Sequence, residues 1–338
     1  MFVRPRMLSI FTTRRCTAAC DHCCVGASPR AAAAIPVERI HRLIDEAARI
    51  PSLELIGFTG GECFLLGTEL DALVGHANGN GFTTRVISNG YWAVNPVAAR
   101  QRIGGLRARG LDEMMLSTGT FHQRFVPVER VVHAARAAAE AGILTRISIE
   151  VCDQSTFDDA VLLTELAEPI ARHEIYLGNS PWTTDAGGRG QTPLSHERWL
   201  SERDDPSAGR CTHVLTVIAV TPDQQLVSCC GFPLEELPQL RIGSVVDRAL
   251  DEVLDETPNE LLKMWLHVAG PSGIADFVAR HVPGYALPPS ASICQSCVAL
   301  QRDATAMRVI AEHAGDIVQS VADAFFRLQA GATPLHAT

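Results

Sequence analysis

The sequence has no long apolar run and no excess of basic residues. No apolar segment approaches the roughly 18 residues that suggest a membrane-spanning helix. The basic start, residues 1–15, has a short apolar run without a small-residue cleavage site, so it predicts a first strand rather than a signal peptide. The formal net charge is −9 at pH 7, which argues against a general nucleic-acid binder. We therefore expect a cytoplasmic protein that binds neither nucleic acid nor membrane.

Cysteine is the residue that the chain has in excess. There are 11 cysteines among 338 residues. Disulfides are rare in a reducing cytosol, so metal ligation or redox chemistry is the leading explanation for these thiols.

Strand and helix patterns alternate along the first half of the chain. Short apolar, β-rich runs end in turn residues at 7–13, 53–61, 83–90, 113–119, 144–151 and 174–179. Helical periodicity fills several of the intervals, at 37–50, 67–81 and 128–142. This alternation predicts an α/β fold with a parallel sheet. In such folds the functional loops follow the carboxyl ends of the strands.

The pattern changes after about residue 190. A polar, turn-rich segment precedes a predicted β-hairpin at 215–230, and residues 247–283 look mainly helical. Residues 301–331 predict one long terminal helix or two short ones. The expected domains are a main domain at 1–200, a small domain at 201–300 and a C-terminal helix at 301–338.

The stretch RRCTAACDHCC contains the first cysteine group. Cys16, Cys20 and Cys23 follow the first predicted strand as C-x3-C-x2-C, and three thiolates on such a loop can hold an iron–sulfur cluster with one iron left open. Zinc is the alternative, although structural zinc usually takes four ligands with paired CxxC spacing. Cys24 is either a spare ligand or a small buried residue.

At this loop the chain resembles the radical S-adenosylmethionine enzymes. Their signature is C-x3-C-x-aromatic-C, and His22 stands at the aromatic position. The second strand ends FTGGECF, in which Gly60, Gly61 and Glu62 match the family's glycine-glycine-glutamate motif. The resemblance implies a partial (β/α)6 TIM-like barrel, a [4Fe–4S] cluster on the three cysteines and bound S-adenosylmethionine.

The resemblance also implies where the cosubstrate is held. The positions that it assigns are His22, Gly60, Gly61, Glu62, Ser88, Asn89, Ser117, Glu150 and Arg189. Many relatives carry serine-x-aspartate after the fourth strand, and Gly119 departs from that pattern. For Asn89 and Arg189, a plain turn and a solvated loop charge are the alternatives.

A second cysteine group lies late in the chain. Cys211 and Cys229 flank the predicted hairpin, and Cys294-x2-Cys297 follows beyond a helical insertion. The pattern resembles the Twitch or shortened SPASM extension of the same enzymes, which implies a small C-terminal hairpin and helical domain that holds an auxiliary [4Fe–4S] cluster. Zinc is again the alternative. Spacing favours Cys229 over its neighbour Cys230 as the ligand.

The implied activity is cleavage of S-adenosylmethionine to a 5′-deoxyadenosyl radical, which removes a substrate hydrogen atom. We expect an oxidoreductase or peptide maturase that cross-links, oxidises or epimerises a ribosomally made peptide in natural-product biosynthesis. A dehydrogenase or epimerase of an aminoglycoside sugar or cyclitol is the alternative, and a non-catalytic two-zinc binding module or a simple electron carrier is more remote.

Epimerisation would need a thiol that returns a hydrogen atom. Cys63, Cys152 and Cys230 are the unassigned candidates, and packing as small buried residues is the alternative for each. The expected partners are a peptide or small-molecule substrate and an electron donor such as flavodoxin or ferredoxin. Because only 15 residues precede Cys16, a separate peptide-recognition protein is a further candidate partner.

Overall fold

A computed structural model of the chain describes most of its residues. The described ranges are 3–151, 155–181, 209–230, 237–255, 261–290 and 292–330.

Six parallel strands form the main part of the sheet, in the order β6-β5-β4-β3-β2-β1. The strands are β1 (Met7–Thr13), β2 (Leu55–Gly60), β3 (Thr83–Ser88), β4 (Glu113–Thr118), β5 (Leu144–Val151) and β6 (Ile175–Pro181). Each strand pairs with its neighbour in sequence. The predicted partial (β/α)6 barrel is confirmed, and its functional loops all leave one edge of the sheet.

Helices connect successive strands in the described residues. They are α1 (Val37–Ala47), α2 (Thr68–Gly79), α3 (Pro96–Ala108), α4 (Thr120–Gln123), α5 (Val128–Glu140), α6 (Ala160–Glu165) and α7 (Ala167–Ala171). Buried side chains of α1, α2, α3 and α5 share one core with alternate strand residues such as Ile10, Phe58 and Val86. We call this side of the sheet the helix face.

The opposite side of the sheet is the inner face. It carries the intervening strand residues, among them Met7, Arg85, Glu113, Arg146 and Glu150. β3 and β4 alternate between fully and partly buried positions, whereas all seven residues of β1 are buried. The inner face is therefore covered at β1 and more open toward the other strands.

The C-terminal half continues the same sheet. β7 (Val217–Val220) pairs parallel to β1, and β8 (Gln225–Val227) and β9 (Arg241–Ser244) follow antiparallel. The predicted hairpin is thus present as β7 and β8, but it extends the main sheet beyond β1. The domain boundaries inferred from sequence stay a prediction.

Five helices follow, of which the first packs against α1 in the helix-face core and the other four pack on the inner face beside β1. They are α8 (Leu250–Asp255), α9 (Leu261–His281), α10 (Ile293–Arg302), α11 (Ala304–His313) and α12 (Val318–Ala330). Phe11 packs with residues of α9 to α12 in a second core, which we call the C-terminal core. α9 is kinked where Gly270 has φ 67° and Pro271 follows. The terminal region forms two helices, α11 and α12, as one of the two sequence alternatives predicted.

Among the helices in the described ranges, none has the length and apolar character required to cross a membrane.

The helix-face core supports a stability prediction. Leu43 on α1 is fully buried in that core, so we expect Leu43→Ala to lower the free energy of unfolding by about 2–5 kcal/mol. Val97 on α3 is 58% exposed, and we expect Val97→Ala to change it by less than about 0.5 kcal/mol. Anaerobic urea denaturation measures both, and equal effects of the two substitutions would contradict this core assignment.

Candidate functional site

The first cysteine loop follows β1 at the functional edge of the sheet. Cys16 and Cys20 are 8% and 6% exposed, and Cys23 is half-buried. All three pack in one small cluster with Ala18 and Phe121. Burial raises the pKa of the Cys16 thiol to about 11, with smaller contributions from the charges of Glu62 and Cys23. The three predicted ligands therefore share one sheltered site.

The sulfur atoms of this loop accept N–H hydrogen bonds. The Ala18 amide donates to Cys16 Sγ at 3.4 Å, and the Ala27 amide donates to Cys23 Sγ at 3.3 Å. Asn89 Nδ2 donates to Cys16 Sγ at 3.6 Å. Hydrogen bonds to cysteine sulfur are one of the means by which proteins tune iron–sulfur clusters. The donor set of the loop fits such a cluster.

Glu62 joins the ends of β2 and β3. Its side chain is buried, Oε1 accepts from the Phe64 amide at 3.1 Å, and Oε2 accepts from the Asn89 amide at 2.9 Å. Burial raises the pKa of this carboxyl to about 7, while these hydrogen bonds and one from Ser88 oppose the increase. The described contacts of the carboxylate are thus internal, and its role toward the cosubstrate stays a prediction.

Gly61 lets the end of β2 approach the cysteine loop. The Gly61 amide donates to the Thr13 carbonyl at 2.5 Å, and the Glu62 amide donates to the Arg15 carbonyl at 3.0 Å. A Cβ atom at Gly61 would overlap the Arg15 carbonyl. The glycine is therefore required by contact between two backbone segments of the chain itself.

Asn89 connects the end of β3 to the same loop. Its Nδ2 also donates to Thr17 Oγ1 at 3.1 Å, and its Oδ1 accepts from the Tyr91 amide at 3.0 Å. Ser88 Oγ accepts from the Gly90 amide and from Trp92 Nε1, each at 3.0 Å. Asn89 therefore contacts the cysteine loop, whereas the Ser88 hydroxyl accepts hydrogen bonds from the turn that follows β3.

A carboxylate from β5 occupies the space beside Gly119. Gly119 has φ 133°, and a Cβ atom there would overlap the carboxylate of Glu150. Glu150 is 3% exposed, and its Oε1 accepts from the Phe121 amide at 2.6 Å. Its Oε2 lies 3.2 Å from His122 Nδ1. The carboxylate of Glu150 on β5 thus occupies the place that an acidic residue at position 119 after β4 would take. Ser117 lies on the same face of the sheet.

His22 lies among aromatic rings next to the cysteines. Its ring centroid is 5.3 Å from that of Phe121 and 4.7 Å from that of His122. Ligand atoms of Cys20, His22 and His122 all lie within 4.8 Å of one another. These three side chains can supply ligands to a zinc ion, as the zinc alternative requires. Cys20 would then not be available as a ligand of the iron–sulfur cluster.

The second cysteine group gathers where α9 and α10 meet the inner face. Cys229 belongs to the C-terminal core, and Cys211 and Cys297 pack against it. Burial raises the pKa of the Cys297 thiol, followed by the charges of Cys294 and Cys211, and Gln301 Nε2 donates to Cys297 Sγ at 2.9 Å. These contacts bring the late cysteines into one region of the structure.

Cys24 lies between the two cysteine groups. Burial raises the pKa of its thiol to about 12, and the charges of Cys23 and then Cys294 add to the increase. Nothing in the spacing of the sequence places Cys294 near the first loop.

The three candidate hydrogen donors have different surroundings. Cys63 is fully buried in the helix-face core, where its Sγ donates to the Ile87 carbonyl at 3.3 Å, which favours a packing role. Cys230 packs against Met7, Leu55 and Val217 on the inner face. Cys152, like the predicted cosubstrate residue Arg189, lies outside the described residues.

The inner face carries charged residues that none of the sequence motifs indicated. Arg85 Nε donates to Glu113 Oε2 at 2.6 Å across β3 and β4, and Arg146 follows on β5. Parallel strands are usually apolar on both faces. Charged residues alternating with apolar ones in TTRVIS, EMMLST and LTRISIEV were therefore the available signal.

Comparison with known proteins places the first half of the chain. Residues 10–152 match the family model of the Radical SAM superfamily. Over 121 residues the chain is 30% identical to the putative peptide biosynthesis protein YydG of Bacillus subtilis (strain 168). That alignment covers 36% of this chain and 38% of YydG, which is well below two thirds of the relative's length.

Two solved structures share the fold over most of the chain. Streptococcus suis SuiB bound to the precursor peptide SuiA has a TM-score of 0.59 and 14% identity, covering 86% of this chain and 76% of SuiB. Native anSMEcpe with bound AdoMet and the Cp18Cys peptide has a TM-score of 0.54 and 14% identity, covering 94% of this chain and 99% of that protein.

The internal contacts of Glu62 lead to a prediction for this site. In Glu62→Gln an amide NH2 replaces one acceptor oxygen and faces a backbone N–H, so we expect the free energy of unfolding to fall by about 1–3 kcal/mol. The exposed Glu69 on α2 is the matched control, and Glu69→Gln should change it by less than about 0.5 kcal/mol. Denaturation without S-adenosylmethionine measures both; a fully stable Glu62→Gln protein would refute the joining role.

Proposed function

We propose that the chain is a radical S-adenosylmethionine enzyme that modifies a ribosomally made peptide, because residues 10–152 match the Radical SAM superfamily model. The observation that carries this proposal is the junction of three strand ends. Cys16 follows β1, Glu62 follows β2 and Asn89 follows β3, and Asn89 contacts both of the others.

Three similarities support a peptide as the substrate. YydG is named a putative peptide biosynthesis protein, SuiB is bound to its precursor peptide, and anSMEcpe is bound to a peptide. SuiB and anSMEcpe share the fold of this chain at only 14% identity. The proposal of a peptide substrate therefore rests chiefly on the partial similarity to YydG.

Different residues at the functional edge would bind the cluster and the cosubstrate. When bound, a [4Fe–4S] cluster and S-adenosylmethionine supply the 5′-deoxyadenosyl radical that removes a hydrogen atom from the substrate. Cys16, Cys20 and Cys23 would hold the cluster. The backbone at Gly60 and Gly61, with Ser117 and Glu150, would hold the cosubstrate. The rings of His22 and Phe121 would shelter it from water.

The second cysteine group would hold an auxiliary [4Fe–4S] cluster. Cys211, Cys229, Cys294 and Cys297 can supply four thiolates, and the Gln301 amide already donates to one of these sulfurs. A cluster with four protein ligands suits electron transfer. We propose flavodoxin or ferredoxin as the external one-electron donor.

Epimerisation is the outcome that the inner face supports best. Cys230 is the candidate thiol on that face, where it packs against Met7, Leu55 and Val217. The Cys230 S–H bond would break and a new substrate C–H bond would form on the opposite side of the carbon. The resulting thiyl radical would return to the thiol with one electron from the external donor and one proton from solvent.

Metal analysis tests the two-cluster assignment. We expect about eight irons and eight sulfides per anaerobically purified wild-type chain. The triple variant Cys16→Ala/Cys20→Ala/Cys23→Ala should keep about four of each, because the late cysteines are untouched. It should also lose 5′-deoxyadenosine formation under strong reductant. Zinc in place of iron, or complete loss of iron in the triple variant, would overturn the assignment.

Heavy water tests the hydrogen donor. The holoenzyme is incubated in D2O with synthetic peptides encoded by short reading frames beside its gene, and products are examined by mass spectrometry. Exchange of the Cys230 thiol should add one deuterium to one residue of the product. Cys230→Ala should lose this labelled product yet still form 5′-deoxyadenosine, whereas Cys63→Ala, changed on the helix face, should retain both. Unchanged labelling in Cys230→Ala, or loss of two hydrogens in wild type, would reject the donor.

A further inference from the structure

The inner face holds four charged side chains on adjacent parallel strands, where apolar residues are the rule. They are Arg85, Glu113, Arg146 and Glu150. Two of them form a pair. Arg85 Nε donates to Glu113 Oε2 at 2.6 Å, and Arg85 Nη1 also approaches the sulfur of Met7 at 3.6 Å. Arg85 and Glu113 therefore need no external partner to explain them.

Arg146 on β5 differs from this pair. Its side chain is exposed, and it makes no ion pair or side-chain hydrogen bond with any residue of the described ranges. The acidic groups of the surrounding strands are engaged elsewhere: Glu113 with Arg85, Glu150 with the Phe121 amide, and Glu174 with Arg172. Within those ranges Arg146 is thus a cation without a counter-charge on the inner face.

A glycine on β6 leaves room for the Arg146 guanidinium. Arg146 is level with Tyr176 in the sheet, yet a Cβ atom at Gly178 would fall 2.6 Å from Arg146 Nη2. The guanidinium therefore lies over bare backbone two residues farther along, roughly 6–7 Å nearer the functional edge. Any side chain at 178 would displace it.

Solvent and ligands can reach this part of the inner face. Leu144 and Tyr176 flank Arg146 on β5 and β6, and they are 48% and 47% exposed. Glu150, which lies at the functional edge, is two register steps beyond Gly178 on the same face. A ligand held by Arg146 would therefore lie directly below the proposed cosubstrate site.

We propose that Arg146 anchors the substrate by binding a carboxylate, either an aspartate or glutamate side chain or the C-terminal carboxylate of a peptide. This inference rests on the proposed function and adds a specificity to it. The planar guanidinium can bind a carboxylate through two parallel hydrogen bonds. Such an anchor would hold a neighbouring residue at the edge where its hydrogen atom is removed.

A peptide-capture experiment tests this specificity without knowledge of the natural substrate. Immobilised holoenzyme with S-adenosylmethionine is offered a randomised hexapeptide mixture that is acetylated and amidated, so that only side chains carry charge. We expect roughly threefold enrichment of aspartate and glutamate among the retained peptides. Arg146→Gln should abolish this enrichment, Arg146→Lys should retain part of it, and Arg146→Glu should shift retention to basic peptides.

A second mixture distinguishes the source of the carboxylate. It lacks aspartate and glutamate but has a free C-terminus, so Arg146-dependent retention here identifies the terminal carboxylate. Arg136→Gln is the matched control, because Arg136 pairs with Glu165 on the outer side of the molecule, and it should behave as wild type in both mixtures. Iron content and circular dichroism verify that each variant is folded.

The results separate the anchor from the proposed function. No acid or terminal-carboxylate preference in wild type, or an undiminished preference in folded Arg146→Gln, would overturn the anchor. Peptide-independent formation of 5′-deoxyadenosine by the reduced enzyme tests the radical chemistry alone. Wild type and Arg146→Gln should form 5′-deoxyadenosine at the same rate in that assay. If neither protein forms it, the proposed function is rejected, and the anchor is then judged from the peptide-capture result alone.

Discussion

The buried carboxylate of Glu62 joins the ends of β2 and β3, and the geometry of the functional edge depends on it. A buried carboxylate is costly unless hydrogen bonds compensate it, and here the Phe64 and Asn89 amides offset part of that cost. Asn89 then reaches Cys16 and Thr17 on the cysteine loop. The close approach at Gly61 completes the junction, since any side chain there would push the loop away from β2. The cysteine loop, Gly61 and Glu62 are thus connected to one another by direct contacts.

Much of this arrangement was predictable because it is local or periodic. The predicted first and fifth strands coincide with β1 and β5, and alternation of strands and helices was sufficient for the parallel order. The cysteine spacing and the glycine-glycine-glutamate motif then fell at strand ends that meet at one edge. The reason for Gly61 was not predictable in full. The motif predicted that Gly61 lets a ligand approach the backbone, whereas the structure shows that Gly61 lies against the Arg15 carbonyl.

Features that depend on register between distant segments could not be predicted. The Glu150 carboxylate lies beside Gly119 because β4 and β5 pair with Thr118 opposite Ile149, and no local pattern indicates that an acid on one strand replaces a missing acid on another. β7 presents the same difficulty. A short apolar run with a turn predicts a hairpin, but only the structure shows that it pairs parallel to β1 and extends the main sheet.

The extension of the sheet has a consequence for the cysteine loop. Because β7 and β8 continue beyond β1, the C-terminal helices pack on the inner face next to Phe11. Val25 contacts both this C-terminal core and the small cluster around Cys16, and Cys24 lies within electrostatic range of Cys294. The loop is therefore held on one side by the strand junction and on the other by the helices that carry the late cysteines. The C-terminal helices, which pack against Phe11 on β1, thus bring together two cysteine groups that are more than 180 residues apart in sequence.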